Sequence, residues 1–424
     1  MILNCTPVKR LQGRIHLPAS KSYSIRAFII AARGGVSRIL HASDCEDAIV
    51  AAKTAQALGA SVSLKKDVHT VKASLPKVKS KTFSVGESGT TLRFLLPLLA
   101  LHALKAKVAG KGTLVGRPNK HLCEALRRQG MAIHGAGEKE SVPIVFKGGE
   151  LSGGRVEIDG SLSSQFISAL LIALPSLKND SQIILTGREM VSSDYIQMTR
   201  EILFKAGVDV KQISQREYKI KGGQEFKGLK NFYVPSDYGL AAFPMAAAAL
   251  LPSDVLLQGN LDEGLIQSDG HILGFMKRMG VTFEKSDRSI KIKGPFNLKG
   301  DVFSLKDCPD LVPIMSILAL FAKGTTKLIG IHHARAKESD RISDLRNELL
   351  KVGAKVSETN DALTIEPRAS YKSGQLLDAH HDHRLAMSFA VLGCKIGCRV
   401  QGIESSHKSY PAFVSDMKTL GALI

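Results

Sequence analysis

Lys21, Ser22 and Arg26 open an apolar run, PASKSYSIRAFII, with a hydroxyl and a guanidinium four residues apart. On a helix those two positions share a face, and a cation beside the free N–H groups of a helix start holds a phosphate. Gly86-Glu87-Ser88-Gly89-Thr90-Thr91 is a small-residue turn whose N–H groups can cradle an anion, with Arg93 one turn further on. Ser163-Ser164-Gln165 places three hydrogen-bonding side chains where one cap satisfies a helix. The excess points to a ligand. Asp237, Asp310 and His383-Arg384 stand at the corresponding point before later apolar runs, and Asp237 alone reads as an N-cap.

More polar residues precede the amphipathic runs: Arg117-Pro118, Ser192 with Tyr195, Arg335 through Arg341, and His407-Lys408-Ser409-Tyr410-Pro411. Helical spacing puts Lys337 and Arg341 on one face, with Glu338 three residues before Arg341. Glu338 among cations stays ionised, and donates a proton only where burial or a substrate's negative charge favours its protonated form. A helix dipole gives an anion only about 0.3 to 1 kcal/mol, against about 1.5 to 3 kcal/mol for a charge-assisted hydrogen bond. Lys and Arg therefore dominate binding.

The elements that position these groups repeat. Helix-like segments run into a Gly-plus-apolar step at Gly59, Gly130, Gly207, Gly280, Gly353 and Gly421, spaced 71, 77, 73, 73 and 68 residues apart. Polar starts of apolar runs recur at Ser20, Ser88, Ser163, Ser236, Asp310 and Asp382, spaced 68, 75, 73, 74 and 72 apart. A period of this kind signals one supersecondary unit used repeatedly, here β-α-β-α-β-β. The expected fold class is α/β, two similar domains of three copies each. The last copy lacks its final strand, which ILNCTPV and LQGRIHL can supply, so the N-terminus is expected to close onto the C-terminal half. The expected domains are 20–235 and 236–424 with 1–19, joined by two crossings that make a hinge and a cleft.

Lys and Arg number 58 against 39 Asp and Glu, a formal charge of +19, which favours anionic partners. With no Trp, few aromatics to stack bases and no dense basic run, nucleic acid is not expected. The apolar run near Ala241–Leu251 is short of the roughly 20 residues that span a membrane. MILNCTPVKR is no signal peptide, and six scattered cysteines give no disulfide framework, so a reduced cytoplasmic chain is expected. His332-His333 and His380-His381-Asp382-His383 look metal-like but abut polar helix starts, where capping and substrate contact explain them, so no metal is expected.

PASKSYSIR, GESGTTLRF, RPNKHL, DGSLSSQF, VSSDYI, PDLVP, RAKESDR, DHRLAM and HKSYP, in that order across the chain, resemble the motifs of the 5-enolpyruvylshikimate-3-phosphate synthase family. The resemblance implies the enolpyruvyl transferase fold, an inside-out α/β barrel of two three-unit domains that close on substrate. It implies transfer of the carboxyvinyl group of phosphoenolpyruvate to the 5-hydroxyl of shikimate 3-phosphate in aromatic amino-acid (chorismate) synthesis, by a cofactor-free cytoplasmic monomer. Matched position by position, Lys21, Ser22, Arg26, Ser163, Ser164, Gln165, Ser192, Tyr195, Asp310 and Lys337 would contact shikimate 3-phosphate. Lys21, Gly89, Arg117, Gln165, Arg341, Arg384 and Lys408 would contact phosphoenolpyruvate. The implied catalytic set is Lys21, Asp310 as acceptor of the hydroxyl proton, Glu338 as donor to the methylene, His383, and Lys408.

Four places depart from the family pattern. Glu87, Ile25 and His333 stand where Asn is expected, and Ser193-Asp194 replaces a Lys-Pro-like pair. Glu87 would repel phosphoenolpyruvate unless it points away or pairs with a cation, so it is excluded from the contacts. The related transferase acting on UDP-N-acetylglucosamine is the nearest alternative, but it opens with Lys-Asn rather than Lys21-Ser22, and its loop cysteine falls where this chain has only Cys123. An anion- or RNA-binding module on the same repeat is the non-enzymatic alternative.

Overall fold

The computed structural model describes residues 1–424 except 75–80, 103–104, 188 and 263. It forms two compact units, Ala19–Val234, and Met1–Pro18 with Pro235–Ile424.

The second copy shows how one repeat folds. Strand Thr82–Ser84 pairs in parallel with Lys105–Ala109, the parallel step being bridged by helix Gly89–Ala100. Helix Lys120–Arg128 follows, and the hairpin Met131–Ala136 and Ser141–Gly149 completes a four-stranded sheet by antiparallel pairing. Among the described residues there are six such sheets, five of four strands and one of three. The apolar helices are buried on every side, as Tyr238–Leu250 is along its whole length, and they pack on one another within each unit. Sheets lie outside them, their strands alternating exposed and buried residues as in Val36–Leu40. Helices thus fill the interior.

The six repeating glycines stop helices. Each takes a left-handed backbone, φ from +80° at Gly353 to +108° at Gly59, which only glycine adopts without strain. At the opposite helix ends, Ser20, Ser88, Ser163, Asp237 and Asp382 accept backbone N–H groups as N-caps. In the fourth copy the cap is therefore Asp237 rather than Ser236, whose hydroxyl accepts from Asn260 N–H instead. In the fifth, Asp310 lies in a 3-10 turn, Pro309–Leu311, and is not the cap of helix Val312–Leu320.

The first and fourth copies do not keep their own entry strands. Leu11–His16, which leads into the first copy's helix, pairs in parallel with Ser253–Gln258 of the fourth. Phe232–Tyr233, leading into the fourth copy's helix, pairs in parallel with Val36–Leu40 of the first. The exchange follows from the two crossings, which fall between strand and helix at Pro18–Ala19 and Val234–Pro235. Ile2–Cys5 pairs antiparallel with Cys398–Gln401 and completes the three-stranded sheet.

Candidate active site

Within 19–234, the start of helix Lys21–Ala31 carries Lys21, Ser22 and Arg26. Lys21 Nζ lies 3.4 Å from Asp47. Arg26 is 1% exposed and donates to Thr199 Oγ1 at 2.9 Å and to the carbonyls of Ser22 and Tyr195 at 3.1 and 3.0 Å. Its guanidinium also faces the rings of Phe94 and Tyr195. All of those acceptors are neutral, so burial pushes the Arg26 pKa down to about 10. Ser192 takes a left-handed backbone, φ +57°, immediately before helix Ser193–Lys205, a strained entry that puts Tyr195 beside Arg26.

A second cluster in this unit joins the next two copies. Arg93 donates to Gln165 Oε1 at 2.5 Å, to Asn119 Oδ1 at 3.4 Å and to the Pro118 carbonyl at 3.2 Å, while Gln165 Nε2 donates to Thr90 at 3.0 Å. Arg117 lies against Gly89 so closely that a methyl group there would come within 2.9 Å of its Nη1. Ser163 is the N-cap and Ser164 the buried first residue of helix Ser164–Ala173. Glu87 turns to the next loop, accepting from Thr113 N–H at 3.1 Å and Thr113 Oγ1 at 2.9 Å. Ile25 is wholly buried, and Asp194 lies in the first turn of its helix, where a negative charge suits the dipole.

In the other unit, one network gathers most of that unit's matched residues. Arg341, 1% exposed, donates to Asp310 Oδ1 at 2.7 Å, Glu338 Oε2 at 2.9 Å and Asp382 Oδ2 at 2.7 Å. Burial opposes its charge, but Asp382, Asp310 and Glu338 outweigh that and hold its pKa above the ordinary value. Lys337 Nζ is 3.8 Å from Asp310 Oδ1, and Arg384 reaches Asp310 Oδ2 at 3.2 Å. Three cations thus share Asp310. The helical spacing expected for Lys337 and Arg341 does not apply, because the helix begins only at Ser343 and Lys337 has ψ −149°. Tertiary contact with Asp310 brings the pair together instead.

Lys408 donates to the His381 carbonyl at 3.0 Å, which the left-handed backbones of His380 and His381 present. His383 is buried with Nδ1 4.0 Å from Asp382. His333 is buried too, and neither ring nitrogen has a hydrogen-bond partner among the described residues. Burial, then Lys337 and His332, push its pKa down to about 3, so it is a neutral imidazole beside Asp310 and Arg341. Of the other metal-like histidines, His332 pairs with Asp361 and His380 with Glu348.

Sequence reasoning missed Asp382 as a partner of Arg341, and missed Thr199, Asp47 and Asp269 altogether. Asp382 has a signal, since a helix cap next to a buried arginine is a ready ion pair. The other three face site residues from distant segments that no spacing links. Cys123 is buried on helix Lys120–Arg128, and burial with the Glu140 carboxylate pushes its thiol up, so it is no thiolate nucleophile.

A family model described as EPSP synthase (3-phosphoshikimate 1-carboxyvinyltransferase) matches residues 5–417. A 3-phosphoshikimate 1-carboxyvinyltransferase of Methanococcus maripaludis is 34% identical over 431 residues, covering 100% of this chain and 99% of the relative. One from Clostridium perfringens is 35% identical over 425 residues, covering 99% and 98%. An EPSP synthase structure from Acinetobacter baumannii superposes with a TM-score of 0.79 at 26% identity over 99% of this chain and 98% of that one. The enolpyruvyl transferase NikO from Streptomyces tendae shares the fold, with a TM-score of 0.78 at 16% identity over 99% and 97%. No described helix is long and apolar enough to cross a membrane. The chain belongs to the 5-enolpyruvylshikimate-3-phosphate synthase family.

Proposed function

We propose that the protein transfers the carboxyvinyl group of phosphoenolpyruvate to the 5-hydroxyl of shikimate 3-phosphate, releasing phosphate, as a cytoplasmic monomer serving aromatic amino-acid synthesis. The observation that carries this reading is Asp310, a carboxylate shared by Arg341, Arg384 and Lys337. A base and the cations that an anionic electrophile requires occupy one network.

In this reading Ser22, Arg26, Ser163, Ser164, Gln165, Ser192, Tyr195 and Lys337 hold shikimate 3-phosphate. Arg341, Arg384 and Lys408, with Lys21, Gly89, Arg117 and Gln165, receive phosphoenolpyruvate. As its carboxylate and phosphate take over N–H groups of Arg341 and Arg384, Asp310 is released to accept the 5-hydroxyl proton. Glu338, once protonated, gives its proton to the methylene carbon, and the hydroxyl oxygen bonds the middle carbon. In the second step the Glu338 carboxylate takes a proton back from the new methyl group, the double bond re-forms, and the C–O bond to phosphate breaks with its electron pair going to phosphate. Lys21 and Lys408 stabilise that charge, and His383 supports the network beside Asp382. The scheme uses no metal or organic cofactor.

A phosphate-release assay with each substrate omitted in turn tests the reading. Release is expected only with both present. Release from phosphoenolpyruvate alone, or only with UDP-N-acetylglucosamine as acceptor, would contradict it.

A further inference from the structure

Arg384, buried at the start of helix His383–Ile396, meets three elements. It donates to the Gly239 carbonyl of helix Tyr238–Leu250 at 2.7 Å, and its other terminal nitrogen faces Asp310 at 3.2 Å and Asp269 at 3.6 Å. Asp269 sits on a separate turn, Ser268–Gly270, and is 6% exposed. A methyl group on Gly239 would collide with Asp269 Oδ2 and approach Arg384 Nη1 to 2.8 Å. Only glycine lets carboxylate and guanidinium close on this stretch of helix.

One guanidinium nitrogen thus serves two carboxylates. Around Asp269, burial disfavours its charge, Arg384 favours it, Asp310 and Asp237 repel it, and Lys337 attracts it. The balance pushes its pKa up to about 7. We propose that Asp269 is a positioning residue that holds Arg384 between Gly239 and Asp310, and that its negative charge competes with phosphoenolpyruvate for that guanidinium. The proposal rests on the functional reading above. Protonated Asp269 leaves Arg384 with the Gly239 carbonyl and Asp310, one charged partner fewer, and so more readily transferred to a phosphate or carboxylate. Ionised Asp269 retains it. Substrate binding should therefore weaken as pH rises through this titration, and an arriving anion should drive proton uptake by Asp269.

Asp269→Asn keeps the shape and removes the charge. The measurement is kcat/KM for phosphoenolpyruvate from pH 6 to 8 in parent and variant, with kcat/KM for shikimate 3-phosphate as reference. Substrate ionisation acts equally on both proteins. The parent-to-variant ratio for phosphoenolpyruvate is expected to fall by up to about tenfold across that range, the change in protonated fraction of a group titrating near 7, with the shikimate 3-phosphate ratio unchanged. Parallel profiles would overturn the proposal.

A second readout does not need turnover, and so separates failure of this proposal from failure of the functional reading. Calorimetric titration with inorganic phosphate at pH 7, in two buffers of unlike ionisation heat, should show proton uptake by the parent and less by the variant. Equal uptake, or no binding by the parent, would overturn it. Melting curves check the fold. A carboxylate raised from 3.8 to about 7 costs stability increasingly as pH climbs through that window, so the variant should melt above the parent at pH 8 and approach it toward pH 5. A variant melting below the parent at pH 8 would contradict the buried charge.

Discussion

Arg26 and Arg341 are both buried guanidiniums in opposite electrostatic settings. Arg341 is neutralised by Asp310, Glu338 and Asp382, whereas Arg26 bonds to a hydroxyl, two carbonyls and two ring faces. A buried cation without a counter-charge costs stability until an anion arrives. Even lowered to about 10, Arg26 stays protonated at neutral pH and available to a phosphate. Arg26→Met should therefore weaken shikimate 3-phosphate binding by roughly 10²-fold, about two charge-assisted hydrogen bonds, while the melting temperature holds or rises. Calorimetric titration and thermal melts check both halves, and unchanged affinity would remove Arg26 from the site. The spacing of Ser22 and Arg26 was legible in the sequence. Thr199 was not, because it meets Arg26 from a helix in the third copy.

At the scale of elements, caps and stops followed the sequence closely, since Ser, Asp and Gly carry their own local reasons at helix ends. The fifth copy broke that logic. Its Arg335–Arg341 segment carries helix-compatible spacing, yet tertiary ion pairs to Asp310 and Asp382 hold Lys337 to Arg341 outside the helix that starts at Ser343. Glu87 was legible as a departure but not in its purpose. Its carboxylate takes Thr113 on the turn Gly112–Leu114, where Gly112 has φ +53° and a side chain would collide with it. That turn leads directly to Arg117, so Glu87 fixes the loop that carries a proposed phosphoenolpyruvate contact. Glu87→Ala should raise KM for phosphoenolpyruvate about tenfold or more, as expected when a bond of about 1.5 to 3 kcal/mol is lost, with KM for shikimate 3-phosphate little changed. Steady-state kinetics with each substrate varied distinguishes this from general loosening, which would move both.

For the whole molecule, the sixfold period gave the α/β repeat and the β-α-β-α-β-β sequence of its elements, because each copy is the same supersecondary unit with the same faces to bury. That the N-terminal strands join the C-terminal half was legible, but only Ile2–Cys5 completes the last copy; the pairing of Leu11–His16 with the fourth copy and of Phe232–Tyr233 with the first was hidden, since both have the same character as the strands they replace. Pairing partners are set where the chain crosses, and hydrophobic pattern does not record that. In the proposed scheme this scaffold carries a set of cations and two carboxylates, one to protonate a methylene and one to activate a hydroxyl. The most direct test runs the reaction in deuterated water with phosphoenolpyruvate and shikimate 3-phosphate, following products by proton and phosphorus magnetic resonance. The account predicts one phosphate per carboxyvinyl ether formed at the 5-oxygen, with deuterium in the vinyl methylene from its passage through a methyl group. Pyruvate in place of the ether, or an ether whose methylene carries no deuterium, would contradict it.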